Sequence, residues 1–190
     1  MLKRLLFFIL FSLCSELLTA QAPLRYWNER LDDLYEEYVS GGDVDYKALA
    51  DHSAYFHELT AIMRNMDSLD QGEEKAFLIN AYNFIVIGEI AEHWPIQSVR
   101  DVPGFFDGIS HEVGPFVFTL DALEKHLFSR YPDPRMHLAL VCGAEGCPPL
   151  YRESYRSHAL DAQLDSICRQ ALNDPVFLRE SSDGYQLSRI

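Results

Sequence analysis

Residues 72–94 read GEEKAFLINAYNFIVIGEIAEHW. Past its acidic first turn this run is apolar on nearly every face of a helix, the pattern of a helix enclosed by the rest of the fold. Glu73 and Glu74 sit where the helix dipole favours negative charge, and Pro95 cannot continue the helix. The stretch therefore predicts a buried central helix. Asn80, Tyr82 and Asn83 are polar positions inside it. Asn is a poor helix former, and burying an amide without partners costs ~1–3 kcal/mol. Asn80 and Asn83 are three apart and share a face, as do Glu89 and His93 at i and i+4. Two readings stand: the amides tie the helix to neighbouring loops, or they orient a reacting group.

Working outward, Trp27, Leu31, Leu34, Tyr35 and Tyr38 fall at helical spacing and predict an amphipathic helix over 24–39, closed by Gly41 and Gly42. Residues 44–46 read as a short extended piece, and 46–62 as further helix broken near Asp51. Residues 113–120 read as a hairpin or strand. Thr119 caps a helix running to Arg130, without a capping box because Ala122 stands three residues on. The apolar run 137–142, HLALVC, reads as a strand, and GAEGCPP after it as a turn. Leu160, Leu164, Ile167, Cys168 and Ala171 form the inner stripe of a helix over 157–173. Residues 185–188 close with a short strand. The expected fold is α+β, a mostly helical single domain packed around a small β-sheet.

The 190 residues are 48% apolar and 24% charged, values of a globular chain. The formal charge of −13 argues against nucleic acid as a partner, because phosphate binding needs a basic face. Lys3 and Arg4 precede an apolar run, Leu5–Cys14, that is too short to span ~30 Å of hydrocarbon and has the length of a signal-peptide core. Residues 1–20 are expected to be a signal peptide cut after Ala20. The chain 21–190 would then be exported, periplasmic or secreted, with no stable membrane span after cleavage.

Chemistry is concentrated around residues 137–147. His137 heads the apolar run. Cys147 lies in a turn where backbone N–H groups favour thiolate over thiol. Gly143 and Gly146 allow close approach of a substrate and can offer N–H groups to an oxyanion. The same spacing admits a Cys142–Cys147 disulfide across the tight loop. Two cysteines and His137 could supply three metal ligands, but no CxxC or HxxxH pair supports a metal site. No phosphate-binding loop, GxGxxG or GxSxG occurs. No cofactor and no metal are expected.

AFLINAYN at 76–83 resembles the AFWINAYN signature of the domain of unknown function 547 family. VDY at 44–46, HWPIQSVRD at 93–101, LDALE at 120–124, DPRMHLALVCGAEGCPPL at 133–150 and LDAQLD at 160–165 fit the same family. The resemblance covers roughly residues 43–190, and many bacterial members carry export signals. It marks Asn80, Tyr82, Asn83, Glu124, His137, Cys142 and Cys147 as motif positions and assigns them no roles. Members usually carry His directly after the Glu of LDALE; here Lys125 stands there, with His126 one residue on. Members also continue past the final LS motif, so the chain is expected to be truncated at its C-terminal end.

Two functions from different classes follow. In the first, the protein is a thiol hydrolase or acyltransferase acting on a small-molecule or peptide substrate. Cys147 attacks, His137 is general base and acid, Asn80, Asn83 or Glu124 orients the imidazole, and Gly146 with Cys147 holds the oxyanion. Tyr82 and Gly143 line the substrate. In the second, the protein is a non-catalytic periplasmic binding or structural domain stapled by Cys142–Cys147. Its polar groups are then a buried network, and Phe105, Phe106, Phe116 and Phe118 are either core or an exposed binding patch.

Overall fold

In the computed structural model, residues 22–67, 69–144, 146–182 and 184–188 are described. The expected signal segment and its cleavage site lie outside the described residues. Helix α1 (residues 22–38) leads into a two-stranded ribbon, β1 (Val39–Ser40) and β2 (Asp43–Val44), then α2 (Tyr46–Ala50), α3 (Ser53–Arg64) and α4 (Gln71–Glu92). A second ribbon, β3 (His111–Val113) and β4 (Phe116–Phe118), precedes α5 (Leu120–Arg130). A 3-10 turn (Pro134–Leu138), α6 (Leu160–Asn173) and a third ribbon, β5 (Leu178–Ser181) and β6 (Gly184–Leu187), complete the chain. The mostly helical α+β domain is as expected. Its β part, however, is three separate antiparallel ribbons of two strands each, and the centre about which the fold is organised is α4.

Helix α4 is buried continuously from Ala76 to Ile87. Its start is fixed by a capping box: the Asp70 side chain accepts from the Glu73 N–H at 2.8 Å and the Glu73 side chain accepts from the Asp70 N–H. Two helix-end donors are thereby satisfied. Helix α1 lays Trp27 across α4, edge-on to Phe77 and Phe84 with centroids 5.3 and 6.0 Å apart. The indole N–H donates to the Leu59 carbonyl at 3.0 Å, so this large ring is buried with its one donor paired. The break between α2 and α3 falls at Asp51–His52. Thr119 caps α5 by accepting from the Ala122 N–H at 3.2 Å.

The strand expected at 137–142 is absent. Pro134 occupies the first position of the 3-10 turn, where its fixed φ and missing N–H are tolerated, and the Asp133 side chain accepts from the Arg135 N–H. These two local signals close the chain into a helical turn, and among the described residues no strand pairs with it to reward an extended one. The turn is held by charge. Arg135 donates to Asp133, to Asp161 at 2.7 Å and to Asp165 at 2.6 Å, while Lys75 reaches Asp133 at 2.9 Å. Within this network the Asp133 carboxyl is held far below the usual carboxylate range, first by its hydrogen bonds from Arg135.

Candidate functional site

The two asparagines of α4 act as brackets. Asn83 donates to the Ala139 carbonyl at 2.9 Å and accepts from the Val141 N–H at 3.0 Å. Asn80 donates to the Tyr155 carbonyl at 2.9 Å and to the Asn28 side chain at 3.3 Å, and accepts from the Tyr155 N–H at 2.8 Å. Both amides are fully buried. Their hydrogen-bonding capacity goes to the backbone of two irregular segments, 139–141 and 154–155, which have no ladder of their own. Tyr82, between them, is buried, and burial followed by the nearby Glu124 and Asp121 carboxylates raises its phenol above the ordinary value.

The 137–147 region is arranged otherwise than a thiol site requires. Cys142 and Cys147 are joined in a disulfide, with Cα atoms 6.3 Å apart, so Cys147 has no thiol to ionise. The Cys147 N–H donates to the Ala144 carbonyl at 3.0 Å, and the Cys142 N–H donates to the Cys147 sulfur at 3.1 Å. The Cys147 donor is therefore spent within the turn. Gly143 has φ +71°, and a Cβ there would meet Ile90 and Val99 at 2.6 and 2.9 Å; its role is close packing of the turn onto α4. A Cβ on Gly146 would collide with the Ser188 hydroxyl. His137 is exposed, stacked on Phe128 with centroids 4.0 Å apart. No hydrogen bond joins it to Asn80, Asn83, Glu124 or Cys147 among the described residues. Asn83 and the disulfide thus share one segment through its backbone, and neither the His137 imidazole nor Glu124 is hydrogen-bonded to them among the described residues. Cys168 is the free cysteine among the described residues, half-buried and with its thiol raised by that burial.

The Phe-rich segment divides between both expectations. Phe105 is buried against Phe106, while Phe116 and Val117 at the ribbon tip are exposed. His126 packs beside the Phe116 and Phe118 rings, which also touch each other, with its Nε2 buried and without a partner among the described residues, and Lys125 next to it pairs outward with Asp121.

The arrangement with chemical potential lies on the other face of α4. A cleft of about 500 Å³ opens between α3, α4, the end of α2 and strand β3. Its floor is apolar, with Leu49, Met63, Phe84 and Ile85 all buried. Gly88 makes the floor possible, because a Cβ there would press the Phe56 ring at 3.1 Å. The third wall hangs on Gly114, whose N–H donates to the Met63 carbonyl at 3.0 Å. Its φ is +56°, and a Cβ would meet the Met66 carbonyl oxygen at 2.6 Å. Only glycine lets the ribbon approach α3 so closely.

Glu89 from α4 and His111 from β3 bring polar groups to this floor, while the exposed Glu92, Glu112 and His57 line the cleft nearer solvent. The Glu89 side chain is 12% exposed and that of His111 13%, with 3.8 Å between Oε1 and Nδ1. His93 Nδ1 approaches the other Glu89 oxygen at 3.7 Å but donates to the Glu89 main-chain carbonyl at 2.9 Å. Both carboxylate approaches are too long for hydrogen bonds. Burial raises the Glu89 carboxyl, with Glu92 adding to the effect. Burial lowers the His111 imidazole. Both groups are thus biased toward their neutral forms. His111 Nε2 is buried with no partner among the described residues. Sequence reading paired Glu89 with His93 along the helix and passed over His111. The available signal was the two-residue period of β3, which puts His111 on the same face as the buried Val113.

A family model described as "Protein of unknown function, DUF547" matches residues 66–171. That span runs from the end of α3 through α4, the second ribbon, α5, the disulfide turn and nearly all of α6. No curated protein and no solved structure matches the chain.

Proposed function

The chain belongs to the DUF547 family, and on that premise we propose that it is an exported, non-catalytic domain that binds a small molecule in the α3–α4–β3 cleft. The observation that carries this reading is the cleft itself. Its volume of about 500 Å³ lies within the ~300–1,000 Å³ range of small-molecule sites, which combine an apolar lining with a few convergent polar groups. Export is supported by the basic and apolar pattern of residues 3–14 and by the Cys142–Cys147 disulfide, since such bonds persist in oxidising compartments. The disulfide also bears against a thiol mechanism.

Two measurements test the reading. The first is iodoacetamide labelling without reductant, followed by peptide mass spectrometry. Cys168 is expected to label slowly, and Cys142 and Cys147 are expected to remain unlabelled. Rapid labelling of Cys147 at pH 6 would restore the thiol-enzyme reading. The second is a fragment screen on methyl-labelled protein by NMR. Binders are expected to shift the methyl signals of Leu49, Met63 and Ile85. Binders that shift only residues of the 139–150 segment would move the site to the disulfide turn and refute the assignment.

A further inference from the structure

The cleft has an uneven charge inventory. Three carboxylates, Glu89, Glu92 and Glu112, line it together with two imidazoles, and no lysine or arginine lines it among the described residues. Arg64 lies 3.7 Å from Glu112, an exposed pair at the rim. Glu89 is different. Its side chain is largely buried, and no protein hydrogen bond reaches either carboxylate oxygen among the described residues. Its nearest nitrogens are Nδ1 of His93, outside the cleft lining, at 3.7 Å and Nδ1 of His111 at 3.8 Å. A buried carboxylate without donors is costly, and a bound group that brings positive charge and N–H donors removes that cost. His111 Nε2, beside it, is a buried polar atom lacking a partner among the described residues. An ammonium carries three N–H donors and no acceptor, enough for a Glu89 oxygen and the imidazole together. Beside them, the floor of Met63, Phe84 and Ile85 offers an apolar body its own contact surface.

Resting on the small-molecule reading above, we infer that the cleft takes a small organic cation, an ammonium group on an apolar or aromatic body, with Glu89 as its charge partner. An anionic ligand would meet the Glu89 carboxylate at the floor, with Glu92 and Glu112 nearer the rim. A neutral ligand of the same shape would leave Glu89 without a counter-charge.

The test compares three probes of similar shape on the purified, oxidised protein by isothermal titration calorimetry: 2-phenylethylammonium, 2-phenylethanol and 3-phenylpropanoate. The ammonium is expected to bind at least ~10-fold more tightly than the alcohol, and the carboxylate more weakly than either. Glu89→Gln is expected to lower ammonium affinity ~10-fold or more, whereas Glu112→Gln at the solvated rim changes it less than ~3-fold. Circular dichroism and thermal melting of each variant establish that it is folded. The three-probe comparison on the parent protein needs no variant. Alcohol binding equal to ammonium binding, with NMR shifts in the cleft, would overturn the cation inference and leave the cleft reading standing. Equal binding of all three probes, or tighter binding of the carboxylate, would do the same. If none of the three binds, both readings fail.

Discussion

Replacing Asn83 by alanine separates a bracket from a catalytic amide. The side chain is 1% exposed and makes two hydrogen bonds, to the Ala139 carbonyl and from the Val141 N–H. Each is worth ~1 kcal/mol net, and each orphaned backbone group that stays buried costs ~1–3 kcal/mol. Ala139 is buried and Val141 half-buried, so one group bears the full cost and the other part of it. The expected loss is about 2–4 kcal/mol. Against a whole-domain stability of ~5–15 kcal/mol, the variant still folds but unfolds much earlier. With a urea slope of ~1–3 kcal/mol/M, the midpoint drops by roughly 1–2 M. Urea titration of the oxidised protein measures this, and amide exchange at Val141 shows whether the 139–141 segment is the part released. A midpoint shift below ~0.3 M would refute the reasoning. It would mean that the segment is held by other contacts and that the Asn83 amide is free to serve another role.

Two further outcomes are expected. Replacing both Cys142 and Cys147 by serine removes a crosslink across a very short loop; the loop-closure relation gives a loss of about 2 kcal/mol, read as a lower thermal midpoint, and an unchanged midpoint would mean that the turn is held fully by its packing on Ile90 and Val99. Asp133→Asn is expected to destabilise the protein at pH 7, because the folded carboxyl is depressed by Arg135 and Lys75. A depressed group contributes fully above its unfolded value near ~3.9 and loses that contribution as pH falls toward its folded value. The gap between parent and variant thermal midpoints should therefore narrow below about pH 4, and a gap constant down to pH 2 would contradict the network.

What could be read in the sequence was what local chemistry decides. The all-round apolar run of 76–87 announced a central helix, Thr119 announced the cap of α5, and the break near Asp51 announced two helices. The strand expected at 137–142 failed because an apolar run alone does not specify extension. Asp133 and Pro134 supplied a helical start that the hydrophobic pattern overshadowed. Asn80 and Asn83 were legible as polar groups needing partners, but a sequence cannot show whether those partners are backbone groups or an imidazole. The pairing of Cys142 with Cys147 was legible as one of two alternatives, since spacing permits a bond without requiring it.

The cleft was not legible for a different reason. Its walls come from segments between residues 49 and 112, and its key pair, Glu89 and His111, is 22 positions apart on a helix and a ribbon. Their meeting depends on two glycines that carry no chemistry of their own. Gly88 admits the Phe56 ring to the helix surface, and Gly114 brings β3 against α3. The polarity of α4 is therefore divided by function. Toward its start, Asn80 and Asn83 spend their hydrogen-bonding capacity on holding irregular chain in place. Toward its end, Glu89 keeps a largely buried carboxylate beside two imidazoles at 3.7 and 3.8 Å, with no hydrogen-bond donor among the described residues. Buried polar groups that are fully paired explain a fold. One that lacks a hydrogen bond, at the floor of a cleft, is where a ligand has something left to supply.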